Sequence, residues 1–403
     1  MNNLNFLVDV LKDSPVFKTL EKNVKPGRTV CASGLSTINK SNIIYALCRL
    51  KGVTAFCLAS DEKEAQTLCN DLSCMGLRAY VYPVRDFNFL DFQSRSHEYE
   101  HARLKVLLKL LNHECDVAIA CVDAAAQLTV PRNVLEQSVI EFEEGRELSL
   151  EKATKALTLL GYERFDAVEG SGQFSLRGGI LDFFMPDSDY PVRCEFWGDE
   201  ITDLSYFDIE TQRRFKKADK ITLSPSTEIV IEDRAALADK IEHKAKLLRS
   251  KNSAKAKEKL FSEAELIRSG AMIANADKFI NQIYDKPESL FDYLDRNTLV
   301  FASEFTAIQE RGKSMDFISN ETLMQGFEDG TLCRGFDRFA LTFNECTEFL
   351  QSHGTIVLEN FVHGSMPIKL SEIISFSTKQ LSAWGGSYKQ LKEDVDGLFT
   401  PES

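Results

Sequence analysis

Two stretches of the sequence have residue types and spacings that chemistry uses. The first is GLSTINKS, Gly34 to Ser41, which follows the apolar run TVCAS and precedes a helical pattern. A working phosphate loop reads Gly-x-x-x-x-Gly-Lys-Ser/Thr: backbone amides wrap the phosphates, the lysine reaches their outer oxygens, and the hydroxyl holds Mg²⁺. Lys40 and Ser41 occupy the last two places, but Asn39 stands where the second glycine belongs, and a side chain there crowds the backbone's approach to phosphate. Such a site also needs a later buried strand ending in Asp-Glu, the Asp holding Mg²⁺ through water. The candidate, TLVFAS, ends in Ser303 and Glu304, so serine takes the Asp place. With both halves degenerate, no ATP hydrolysis and no bound cofactor are expected of this chain.

The second is HEYEH, His97 to His101, a formal match to the HExxH zinc-peptidase pattern. A catalytic zinc needs a third protein ligand and an open water position, and only Glu114 offers itself downstream. A plainer reading is a helix capped by Ser96, with Glu98 and Glu100 in a first turn that favours acids, and with exposed histidines. The ten cysteines are scattered, with no CxxC pair, and read as reduced core thiols. No metal site and no Ser-His-Asp or Cys-His arrangement is expected.

A third stretch points to binding. In PVRCEFW, strand alternation turns Val192, Cys194 and Phe196 to a core and Arg193, Glu195 and Trp197 outward. In FSLRGGILDFF, Phe174 and Leu176 suit the core, while Ser175 and Arg177 point away. If these strands are neighbours, Arg177, Arg193 and Trp197 form one exposed patch, with the composition of a binding hot spot.

The elements that must position these residues are legible from periodicity. Over residues 1–130, the short apolar runs TVCAS, TAFCLAS, RAYVYPV and DVAIACV alternate with amphipathic helical patterns, which predicts a parallel sheet covered by helices. Leu4, Leu7 and Leu11, followed by Pro15, predict a short amphipathic helix at the start. Residues 131–225 are rich in β segments with glycine and acidic turns, one helix (LEKATKALTLLGY) lying among them; this predicts a small inserted α+β domain. Residues 226–383 return to helix and strand, with TLVFAS, TIVLENF and IISFSTK completing the parallel sheet, and 384–403 begin a helix of a following domain. No apolar run nears the ~18–20 residues of a membrane span, and nothing at the start resembles a signal peptide, so a cytoplasmic location is expected. The net charge of −13 argues against a chain whose main task is gripping nucleic acid. The lysine-rich stretch Lys240–Lys259 carries Glu242 and Glu258 among its lysines, as a solvated helix face would.

The most specific signal is the ordered set GY, G-x-F-x-x-RGGILD, R-x-EF-x-GDEI and FD-x-x-TQR between Gly161 and Arg213. It resembles the small domain that UvrB and the transcription-repair coupling factor family (Mfd) carry within their first RecA-like lobe. Degenerate Gly34–Ser41 and Ser303–Glu304, and too little chain before His97 for a long aromatic hairpin, point to the amino-terminal part of the coupling factors. The resemblance implies an α/β fold: a degenerate RecA-like lobe with a parallel sheet, interrupted by a small α+β domain. It implies that this part recruits UvrA, and that an ATP- and Mg-dependent DNA motor, with contacts to RNA polymerase and DNA, lies in the rest of a longer protein. The family's UvrA-contacting positions align with Arg177, Arg193 and Trp197, where Trp197 replaces a phenylalanine. A carboxy-terminal domain of the intact protein would mask this face. The alternative is an ATP-dependent, DNA-engaging UvrB-like helicase subunit, which requires a working Lys40; a zinc peptidase requires metal on His97 and His101.

Overall fold

The computed structural model describes residues 5–85, 97–249, 253–270, 276–361, 366–378 and 386–399. After the helices Asn5–Asp13 and Pro15–Asn23, the chain alternates strand and helix: β1 (Val30–Ser33), helix Thr37–Lys51, β2 (Ala55–Ala59), helix Glu62–Cys74, β3 (Ala79–Tyr82), helix Glu98–Leu111 and β4 (Val117–Cys121). Pro15 opens the second helix at its first turn, where its missing N–H costs nothing. Leu4 lies outside the described residues.

The chain then builds a separate unit from β5 (Ile140–Glu143), helix Leu150–Leu159, β6 (Glu163–Arg164), β7 (Gln173–Arg177), β8 (Ile180–Phe183), β9 (Val192–Trp197), β10 (Glu200–Phe207), β11 (Arg214–Lys217) and β12 (Lys220–Leu223). A helical hairpin, Arg234–Leu247 with Ser253–Ser269, leads back to β13 (Leu299–Ser303), the long helix Phe305–Asp329, helix Phe343–His353, β14 (Thr355–Leu358) and β15 (Glu372–Ser375). Helix Tyr388–Phe399 is the last described element.

The first and last parts share one seven-stranded sheet in the order β15-β1-β14-β13-β2-β4-β3, parallel throughout. Its central strands are buried on both faces, which is why VCAS, AFCLA and VAIAC read as continuous rather than alternating apolar runs. Successive residues feed opposite cores: Phe56 and Leu58 join Leu107, Leu290 and Phe305, while Ala55, Cys57 and Ala59 join Ile44, Leu68 and Phe301. This is an α/β RecA-like lobe interrupted by a small domain. All ten cysteines are free, most of them buried, and no described helix is long and apolar enough to cross a membrane.

The small domain has a six-stranded sheet, β11-β10-β9-β8-β7-β6, antiparallel except at β6–β7, and the two-stranded pair β12-β5. Helix Leu150–Leu159 packs on its inner face, where Leu157 shares one apolar core with Phe142, Phe183, Cys194, Phe196 and Leu204.

A buried charge network ties the two units. Arg103, fully buried, donates from Nε to Glu228 Oε1 at 2.6 Å and from Nη1 to Gln127 Oε1 at 2.8 Å. Arg85 lies 3.7 Å from Glu100 and 3.8 Å from Glu228, and Glu100 accepts hydrogen bonds from Thr227 Oγ1 and the Glu228 amide. Burial alone would raise the Glu100 carboxyl; the His97 hydrogen bond and Arg85 outweigh it and hold it at about 2. The segment leaving the small domain is thereby fastened to the lobe's helix 98–111.

A closed phosphate loop and a candidate docking face

The GLSTINKS segment sits after β1 as expected, but its chemistry is spent internally. Gly34, at φ +79°, passes so near β15's end that a Cβ there would stand 2.1 Å from the Phe376 carbonyl oxygen. The helix begins at Thr37, so Asn39 is helical and no left-handed backbone is asked of it; its Nδ2 donates to Ser36 Oγ at 2.9 Å. Lys40 is only 3% exposed. Its Nζ donates to Glu304 Oε1 at 2.5 Å, Ser303 Oγ at 3.0 Å and Glu64 Oε1 at 3.4 Å. Ser41 Oγ donates to Asp71 Oδ2 at 2.9 Å.

Glu304 begins the helix after β13 in a left-handed conformation, φ +56°. Burial works against its charge, but Lys40 prevails and lowers its carboxyl. Glu359, at the end of β14, accepts from the Phe305 amide at 2.8 Å, while its Oε2 has no hydrogen-bond partner among the described residues. Burial, reinforced by the neighbouring Glu304 carboxylate, pushes Glu359 up to about 7. The Lys40 ammonium is thus engaged by Glu64, Ser303 and Glu304, with the Glu359 carboxyl close by.

The two histidines are not equivalent, contrary to the expectation of two exposed rings. His97 stands at the helix N-cap position without a side-chain capping bond, and its ring faces Glu100 across 3.1 Å. His101 is largely covered because the small domain packs on it: a Cβ on Gly172 would stand 2.6 Å from its Cε1. Burial lowers the His101 pKa. Among the described residues, no group of three or more His, Cys, Asp or Glu could hold a metal ion. Ser96, with residues 86–96 where a long hairpin would stand, lies outside the described residues.

In the lysine-rich hairpin, several heads are occupied. Lys240 donates to the Gln282 carbonyl at 3.2 Å, Lys244 to the Gly335 carbonyl at 3.3 Å, and Lys246 pairs with Glu242 at 3.8 Å. Leu237, Ile241, Leu260 and Ile267 form the apolar seam between its helices.

The outward face of the small sheet places the three expected binding residues differently. The registers Arg177↔Ile180↔Glu195 and Ser175↔Asp182↔Arg193↔Ser205 put two rows of side chains on one face, with Trp197 opposite Glu200 in a third row. Trp197 is 82% exposed, so little among the described residues covers it. The Arg177 side chain is 48% exposed. Arg193 is only 13% exposed, so it is not the open member of the patch that strand alternation predicts. Its guanidinium lies 4.4 Å over the Phe207 ring and donates to the Gln212 carbonyl at 3.1 Å and Gln212 Oε1 at 3.2 Å. It pairs with Asp182, not Glu195, and that hydrogen bond raises its pKa further. Glu195 pairs with Arg214 instead. Ser175 points away from the core as expected, yet it is buried, donating to the Asp166 carbonyl at 2.8 Å.

Sequence reasoning missed Asp182, the buried carboxylate between the arginines, and Gln212, which closes over Arg193. Alternation along GILDF carried the signal for Asp182, since it shares Ile180's outward parity.

Residues 140–229 match the family described as the UvrB interaction domain. The chain is similar to the transcription-repair-coupling factor of Bacillus subtilis (strain 168), 26% identical over 399 residues, covering 96% of this chain and 34% of that protein. The transcription-repair-coupling factor of Staphylococcus aureus (strain USA300) is 21% identical over 402 residues, covering 97% and 34%. That of Staphylococcus epidermidis (strain ATCC 12228) is 25% identical over 335 residues, covering 78% and 27%. The chain thus spans about a third of the length of the curated relatives it matches.

Proposed function

We propose that this chain, which corresponds to the amino-terminal region of the transcription-repair-coupling factors and contains a UvrB interaction domain, is a protein-docking module that binds UvrA. In that role it links a stalled RNA polymerase to nucleotide excision repair in the cytoplasm. Contacts with polymerase and DNA, and an ATP- and Mg²⁺-driven motor, belong to the rest of a longer protein. This chain itself hydrolyses no ATP and takes no cofactor.

The observation that carries the docking reading is Trp197, a large apolar side chain 82% exposed at the end of β9, on the same sheet face as the half-exposed Arg177. Tryptophan and arginine are the residues that most often dominate interface energetics. The engaged Lys40 supports the second half, because its three partners hold the ammonium that a nucleotide would need. The test is co-elution of the chain with UvrA by size exclusion at micromolar concentration, without nucleotide. A shared peak is expected; two separate peaks at every ratio would contradict the proposal.

A further inference from the structure

We propose that Asp182 is a positioning residue of this docking face, a single buried carboxylate that sets the guanidinium of Arg177 for the partner through a clamp shared with Arg193. The inference rests on the docking reading above.

Asp182 is 1% exposed, so it cannot touch a partner itself. Its Oδ1 accepts from Arg193 Nε at 2.7 Å. Its Oδ2 accepts from Arg193 Nη2 at 2.8 Å and from Arg177 Nη2 at 2.6 Å. Arg193 is closed in on its other sides by Phe207 and Gln212. Gln212 is held at φ +58° in a turn whose Asp208 accepts from the Thr211 amide and hydroxyl, each at 2.8 Å. Arg193 therefore fixes Asp182, and Asp182 in turn fixes Arg177.

Arg177 needs that help. It ends β7 at the Gly178–Gly179 turn, and its side chain is half-exposed with a single hydrogen bond among the described residues, to Asp182. Immobilising a free arginine on binding lowers affinity, and holding it beforehand removes that cost. One guanidinium N–H of Arg177 is committed to Asp182, and a guanidinium has five. The Arg177 side chain is half-exposed, and its row, through Ile180 and Glu195, neighbours that of Trp197. The partner group that fits is a carboxylate or carbonyl acceptor flanked by an apolar surface.

The test is calorimetric titration of the intact chain with UvrA, comparing wild type, Asp182→Asn, Arg177→Ala and the double variant. Asp182→Asn should weaken binding about tenfold or more, while in the Arg177→Ala background it should change affinity by less than about twofold. A purely structural role would instead give the same loss in both backgrounds, and that additivity would overturn the proposal. So would wild-type affinity in Asp182→Asn. Should that variant fail to fold, Asp182→Ser, which leaves Arg193 in place, is judged by the same outcomes. If the wild type itself does not bind UvrA, the docking reading fails and this inference falls with it.

Discussion

Lys40 and Glu304 stand 2.5 Å apart, Nζ to Oε1, joining the helix after β1 to the end of β13. In a working phosphate site those two places would face each other across a nucleotide and a metal ion. Here Ser303 and Glu64 complete the contact, and the Lys40 side chain is buried among them. Lys40→Met should therefore destabilise the nucleotide-free chain by about 2–4 kcal/mol, because it leaves partly buried carboxylates without their cation. Urea denaturation checks this. Saturating Mg-ATP should leave the melting temperature of the wild type unchanged; a rise of several degrees would mean that the loop opens for nucleotide.

Glu359 gives stability a specific pH dependence. Its folded-state pKa of about 7 lies above the ordinary carboxyl value of 4.5. The stability linked to its protonated form is thus fully present below about 4.5 and is lost as pH rises through 7. Glu359→Gln keeps the acceptor for the Phe305 amide and cannot ionise. Thermal melts from pH 5 to pH 8 should show the variant gaining on the wild type as pH rises, by roughly 1–3 kcal/mol at pH 8. Parallel profiles would contradict the assignment.

The junction between lobe and small domain should be sensitive to one missing charge and one added methyl. Glu228→Gln leaves Arg103 buried beside a neutral amide and should cost about 3–5 kcal/mol. Gly172→Ala is strained twice, by φ +78° and by the His101 ring in the space its Cβ would take. It should lower the melting temperature and speed proteolysis between the two units. Gly145, at φ +82° with nothing within 4 Å of its would-be Cβ, shares the backbone strain without the clash, so Gly145→Ala separates the two effects.

The sequence reveals what is local. The strands TVCAS, TAFCLAS, RAYVYPV and DVAIACV fall where their apolar runs predict, and the three of them other than edge strand β3 are buried on both faces. Alternation assigns the inward side of PVRCEFW to Val192, Cys194 and Phe196. What depends on distant partners is not legible. Lys40 finds Glu64 24 residues away and Ser303 263 residues away, so its burial could not be read from the loop. Arg193's closure by Gln212, 19 residues on, and its pairing with Asp182 depend on the register of three strands. His101 is covered only because Gly172 of the small domain comes to meet it.

The docking claim reduces to Trp197 and the partner it implies. Calorimetric titration of UvrA into the wild-type chain and into Trp197→Ala tests it most directly, because an exposed tryptophan contributes little to the fold and its removal should leave the melting temperature within about 1 °C. The account predicts saturable wild-type binding and a loss of roughly 2 kcal/mol or more in Trp197→Ala, about thirtyfold in affinity. Equal affinity of the two proteins would move the interface off this face, and no binding by the wild type would contradict the account itself.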